Sequence, residues 1–200
     1  MNRDIAILIF DEVEEMDFVG PWEVLKAASE KAPGWRVLTV AEHPGPVTCE
    51  KGLRVIPDAT FDQVTAPAVL LIPGGSGARH ALDNVATLGW LRRIAPGCDW
   101  LTSVCTGAFL LVGSGLAAGR RVTTHHDFTA PLRALGGAEV VEGLRMVRDG
   151  NLVTAGGVMS GIEMSLWLSR RLFGAEAEDF ARNYIAYDLP PRASILDVGD

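Results

Sequence analysis

The chain is poor in cysteine, in aromatic residues and in positive charge. Cys49, Cys98 and Cys105 are the three cysteines among 200 residues, widely spaced and with no C-x-x-C pair. An odd count in that arrangement speaks against a disulfide framework and a zinc knuckle, and makes a reducing compartment the expectation. Lys and Arg number 18 against 25 Asp and Glu, a formal net charge of -7. With no basic stripe interleaved with aromatics, that balance argues against a nucleic-acid surface. Long apolar runs are missing too: Ile5–Phe10 is cut at once by Asp11 and Glu12, too early for a signal-peptide core or a membrane span. The expectation is a cytoplasmic protein that binds neither nucleic acid nor membrane and takes a small neutral or electrophilic molecule.

Hydrophobic residues make up 48% of the chain, enough to bury one substantial core. A single domain is expected over residues 1–188, with 189–200 as an extended C-terminal arm beginning near Pro190-Pro191. Short β-rich runs recur at Ile5–Phe10, Trp35–Val40, Ala68–Ile72, Trp100–Val104 and Leu152–Thr154. Several are apolar on both faces, as buried strands of a parallel sheet are. Between the first two, Phe18, Val19, Trp22, Leu25 and Ala28 keep a helical period, with Pro21 placed in the first turn. Further helices are expected over Leu82–Ile94, Thr129–Leu135, Val158–Phe173 and Ala175–Ala186. A hairpin is expected over Val47–Val55, and a second antiparallel piece through Glu139–Val141 and Met146–Arg148. The alternation predicts an α/β sandwich.

Ligands of open α/β sheets bind beyond the carboxyl ends of the strands. Asp11, Glu12, Glu14, Glu15 and Asp17 follow the first strand, Gly74-Gly75-Ser76-Gly77 the third, and Cys105-Thr106-Gly107 the fourth. At a strand-to-helix corner a thiol meets the free N–H groups of the next helix, which favour a thiolate. The same position equally suits a cysteine used as buried apolar bulk. Backbone N–H groups of Gly74, Gly75, Ser76 and Thr106 could form an oxyanion hole. Asp17 lies between apolar Met16 and Phe18, so it is either a helix cap or a half-buried carboxyl kept protonated beside the thiolate. His125, after Thr123-Thr124, and Gly157 could border the same pocket. His125-His126-Asp127 is read as extended, with neighbouring rings on opposite faces, so no metal is assigned. His43 and His80 are read as loop residues.

These pieces taken together resemble the ThiJ/PfpI superfamily, which is class I glutamine amidotransferase-like, and within it most closely the isonitrile hydratase branch. The matching segments are Phe10–Pro21, Ile72–Gly77, Thr102–Gly107, Val122–His125 and Val147–Gly157. The resemblance implies a flavodoxin-like three-layer α/β sandwich with a mostly parallel central sheet, a reactive cysteine on a strained nucleophile elbow, and a homodimer. It implies Cys105, Asp17 and Thr106 as catalytic residues, with Gly74, Gly75, Ser76, His125 and Gly157 around the substrate and no cofactor. Protease-like relatives carry histidine directly after the cysteine; Thr106 departs from that pattern and argues against a peptidase. The implied activity is addition of water to an isonitrile through a Cys105 thioimidate. Glyoxalase- or deglycase-like chemistry on 2-oxoaldehydes, or a cysteine-based redox sensor, are the alternatives.

Overall fold

The computed structural model describes residues 3–187 and 195–197. Its strands are β1 (Arg3–Leu8), β2 (Trp35–Ala41), β3 (Val47–Thr48), β4 (Arg54–Val55), β5 (Ala59–Thr60), β6 (Val69–Ile72), β7 (Trp100–Val104), β8 (Arg121–Val122), β9 (Glu139–Val140), β10 (Met146–Asp149), β11 (Leu152–Ala155) and β12 (Ile195–Asp197). The helices are α1 (Glu15–Ser29), α2 (Ser76–His80), α3 (Val85–Ile94), α4 (Gly107–Gly113), α5 (Thr129–Leu135), α6 (Ser160–Phe173) and α7 (Ala175–Tyr184).

Eight strands form one sheet in the order β12-β10-β11-β7-β6-β1-β2-β5. Its pairings are parallel except for β10 against β11. Ile5, Ile7, Leu70, Leu71 and Ile72 are wholly buried, which is why both faces of these strands are apolar. One face packs Leu70, Ile72 and Leu101 against Trp90 and Ile94 of α3 and Leu110 and Leu111 of α4. The other packs Ile5, Ile7 and Val104 against Phe18 and Leu25 of α1 and Met164 and Leu168 of α6, with α7 sealing α1 and α6 through Val24, Leu166 and Ala181. This is the expected three-layer sandwich. The chain moves from β1 outward to β2, then returns to β6 on the other side of β1. The resulting crevice at the strands' carboxyl ends is the place where such folds bind ligands.

Several sequence expectations change. Helix α1 starts at Glu15, before the apolar period begins, so Pro21 lies in its second turn and cannot offer an N–H to the Asp17 carbonyl. The Val47–Val55 hairpin forms as β3 and β4. Glu139–Val140 instead pairs parallel with Arg121–Val122, while Met146–Asp149 forms its hairpin with Leu152–Ala155. Two-residue strands carry too little local pattern to reveal their partner. Of the expected C-terminal arm, Ile195–Asp197 adds to the sheet edge beside β10; the rest of 189–200 lies outside the described residues. No helix among the described residues is long and apolar enough to cross a membrane.

Candidate active site

Cys105 stands between β7 and α4 with φ +54°, a left-handed backbone that a non-glycine residue occupies only at a cost of ~1–3 kcal/mol when its surroundings enforce it. Here they do. The Cys105 N–H donates to the Ala155 carbonyl at 2.9 Å, and the Thr124 hydroxyl donates to the Cys105 carbonyl at 2.8 Å. Gly107 lets α4 begin against β6: a Cβ there would lie 2.1 Å from the Ile72 carbonyl oxygen. The chain therefore turns from strand to helix in two residues and presents the thiol at the crevice.

Asp17 reaches the same point from α1 and is wholly buried. Its Oδ2 accepts the Gly74 N–H at 2.9 Å, and its buried Oδ1 has no hydrogen-bond partner. Gly74 has to be glycine for this contact, because a Cβ would fall 2.6 Å from the Thr106 nitrogen and 2.8 Å from Asp17 Oδ2. Burial raises the Asp17 carboxyl to about 7, with the Glu14 charge adding and the Gly74 bond opposing. Burial also pushes the Cys105 thiol up to about 12; the Asp17 charge adds, and the Thr106 N–H and hydroxyl oppose. Desolvation thus outweighs the end of the short helix α4. The carboxyl is raised as expected, but the resting partner is a thiol rather than a thiolate. Two adjacent buried anions are disfavoured, so the pair keeps one proton well above neutral pH.

The glycine loop works differently from the oxyanion hole expected of it. The Gly74 N–H is bonded to Asp17, the Gly75 N–H to Thr106 Oγ1 at 2.9 Å, and the Ser76 N–H to Glu50 Oε2 at 2.6 Å. The Thr106 hydroxyl donates back to the Gly75 carbonyl at 3.0 Å. These bonds lock the loop onto the elbow, and of the expected donors the Thr106 N–H is the one directed at the Cys105 sulfur.

A cavity of about 190 Å³ opens over Cys105. Gly75, Ser76, Thr106 and His125 line it, together with Phe128. Gly74 sits behind the cavity as a support for Asp17. Gly157 faces open space and is replaced as a wall by its neighbour Val158. Glu14, Glu50 and Arg79 complete the lining. Sequence reasoning passed over Glu50 and Arg79, which lie on a hairpin and on α2; an Arg soon after a glycine loop was the available hint. Larger cavities of about 360 and 500 Å³ lie against His43 and Phe61 and hold neither Cys105 nor Asp17.

The segment from His125 to Phe128 is a tight helical turn, so the reason for separating the two histidines fails. Their rings stack at 4.1 Å between centroids, and ligand atoms of His125, His126 and Asp127 all lie within 4.8 Å of one another. His126 and Asp127 are exposed, and the Asp127 N–H already occupies His125 Nδ1 at 3.3 Å. His80 ends α2 rather than lying in a loop, with Nδ1 at 2.7 Å from Glu12.

Fold and site together define an α/β sandwich with a buried cysteine on a strand-to-helix elbow, facing a carboxyl from the first turn of the first helix. Residues 3–171 match the DJ-1/PfpI family, and the chain belongs to it. An isonitrile hydratase from Pseudomonas putida is 35% identical over 191 residues, 96% of this chain and 81% of that protein. Protein/nucleic acid deglycase 2 from Escherichia coli is 28% identical over 160 residues, 78% of this chain and 89% of its own. The crystal structure of a ThiJ/PfpI family protein from Pseudomonas syringae superposes with a TM-score of 0.86 at 30% identity, covering 96% of this chain and 78% of that one.

Proposed function

We propose that the protein is a hydro-lyase that adds water to the terminal carbon of an isonitrile, giving an N-substituted formamide. The observation that carries this reading is the buried Asp17 carboxyl, its Oδ1 unpartnered, set against the thiol of an elbow cysteine. The pair holds one proton, which is what addition to an isonitrile carbon consumes. Sulfur bonds to the carbon, the shared proton is delivered to that same carbon, and the product is a Cys105 thioimidate with its C=N bond to the substrate nitrogen. Asp17, now a carboxylate, takes a proton from water as the hydroxyl adds to the thioimidate carbon. Asp17 passes that proton to the nitrogen, the C–S bond breaks as the added hydroxyl becomes the carbonyl, the hydroxyl proton returns to the Cys105–Asp17 pair, and the formamide leaves. The similarity to an isonitrile hydratase over 96% of the chain supports the same reading. Thr106 rather than histidine beside the nucleophile supports a small-molecule reaction over peptide cleavage.

A second reading rests on His125, which lines the cavity with its Nδ1 accepting the Asp127 N–H at 3.3 Å. On a 2-oxoaldehyde, Cys105 would form a hemithioacetal, and His125 could move the carbon-bound proton that converts it to a hydroxy-acid thioester. A deglycase among the relatives supports keeping this reading.

The test is a panel of aryl and alkyl isonitriles and 2-oxoaldehydes, run on wild type, Cys105→Ser and Asp17→Asn. Formamide production that both substitutions abolish supports the hydratase. Turnover of 2-oxoaldehydes alone transfers the assignment to the second reading, and isonitrile consumption at the wild-type rate by Cys105→Ser overturns it.

A further inference from the structure

The cavity over Cys105 contains a cation whose hydrogen-bonding capacity is unused. Several other polar groups on its wall are already engaged. Glu50 Oε2 accepts the Ser76 N–H at 2.6 Å and its hydroxyl at 2.9 Å. Glu14 Oε2 meets Lys51 Nζ at 3.0 Å, and the Gly75 N–H serves Thr106. The half-buried Arg79 instead lays its guanidinium over the Phe128 ring, 4.6 Å from the centroid. Among the described residues it donates no hydrogen bond and forms no ion pair. Phe128 is itself fixed by edge contacts with Phe109 and His125, at 6.4 and 6.0 Å between centroids.

Stacking holds a guanidinium in one plane while leaving its five N–H groups free at the rim. Such a fork matches a carboxylate bidentately, and a half-buried one without an acceptor is left short of the bonds water would give it. The nearby acids are partly committed elsewhere: Glu14 pairs with Lys51, and Glu50 Oε2 takes both Ser76 donors, while Glu50 attracts Arg79 through space without forming an ion pair with it. We infer that Arg79 recognises a carboxylate on the substrate, so that the molecules brought to Cys105 are small electrophiles carrying a carboxylate group. This rests on Cys105 being the nucleophile and holds for either electrophile considered above. A cavity of about 190 Å³ keeps such a molecule small.

Iodoacetate and iodoacetamide, which differ in a carboxylate for an amide, provide the probe. Their alkylation rates at Cys105, located by peptide mass spectrometry, are compared as a ratio, so that iodoacetamide reports the integrity of the pocket in each variant. In Arg79→Gln the iodoacetate-to-iodoacetamide ratio is expected to fall about tenfold below wild type, and in Arg79→Lys, which keeps the charge and loses the fork, to fall less. An unchanged ratio in Arg79→Gln overturns the inference. So does a ratio that Glu50→Gln raises more than Arg79→Gln lowers it, since acidic exclusion would then govern the pocket. If neither reagent modifies Cys105, the nucleophile reading itself fails, and this inference with it.

Discussion

The Gly74 N–H donates to Oδ2 of Asp17 at 2.9 Å, and that one bond decides which carboxyl oxygen remains for chemistry. Oδ1 is left buried and unpartnered, and the carboxyl as a whole interacts with the thiol of Cys105. Two consequences follow for Asp17→Asn. Hydration is expected to fall by roughly 10²–10⁴-fold, the range for loss of a positioned acid-base group. At the same time the thiol loses an adjacent anion that raises it, so the pH profile of Cys105 alkylation by iodoacetamide shifts to lower pH. Equal profiles in the two proteins would show that the pair is not coupled.

Asp17 also sets a pH dependence of stability. Its folded-state value, about 7, stands above the ordinary 3.8, so between these limits the folded state holds a proton that the unfolded chain has released. Stability from this group is therefore complete below pH ~4 and is lost as pH rises to ~7, in total on the order of 4 kcal/mol. Denaturant unfolding of wild type and Asp17→Asn across this window checks the sign. The stability of Asp17→Asn relative to wild type is expected to rise with pH, and a flat difference contradicts the raised carboxyl.

Gly74 and Gly157 separate a supporting glycine from a neutral one. In Gly74→Ala the new methyl meets Thr106 and Asp17 at 2.6 and 2.8 Å, both on well-bonded elements. A loss of about 1–3 kcal/mol in stability and of at least about tenfold in kcat/KM is expected. Gly157→Ala meets nothing within 4 Å and is expected to change neither melting temperature nor kcat/KM by more than a small margin.

Thr124 clamps the strained elbow through its hydroxyl. Thr124→Val leaves the buried Cys105 carbonyl without that donor, at about 1–3 kcal/mol, and frees the left-handed backbone to relax. Reduced kcat/KM in Thr124→Val, recovered in Thr124→Ser, is the expected pattern; equal loss in both would assign the effect to packing.

Much of this arrangement is written locally. Trp100–Val104 reads as a strand because its apolar side chains point both ways, and Cys105-Thr106-Gly107 ends it with small residues that only a turn explains. The start of α1 was not legible, because Asp17 is a carboxyl in a wholly buried helical position and breaks the apolar period where the helix begins. The glycine loop was legible as a site element but not in its bonding: that Gly74 and Gly75 spend their N–H groups on Asp17 and Thr106 depends on residues 57 and 31 positions away. Arg79 and Glu50 carry no periodic signal, and only the folded proximity of α2 and the hairpin brings them to Cys105. The stacking of His125 on His126 likewise depends on a helical turn that an expected extended segment conceals.

The most direct test of the central claim is a rapid acid quench of wild-type protein during turnover of an aryl isonitrile, followed by mass spectrometry of the peptide bearing Cys105. Addition of sulfur and proton to one carbon predicts a mass gain equal to the whole isonitrile, confined to Cys105 and absent in Cys105→Ser. Formamide production with no adduct at Cys105, continuing at the wild-type rate in Cys105→Ser, would contradict it.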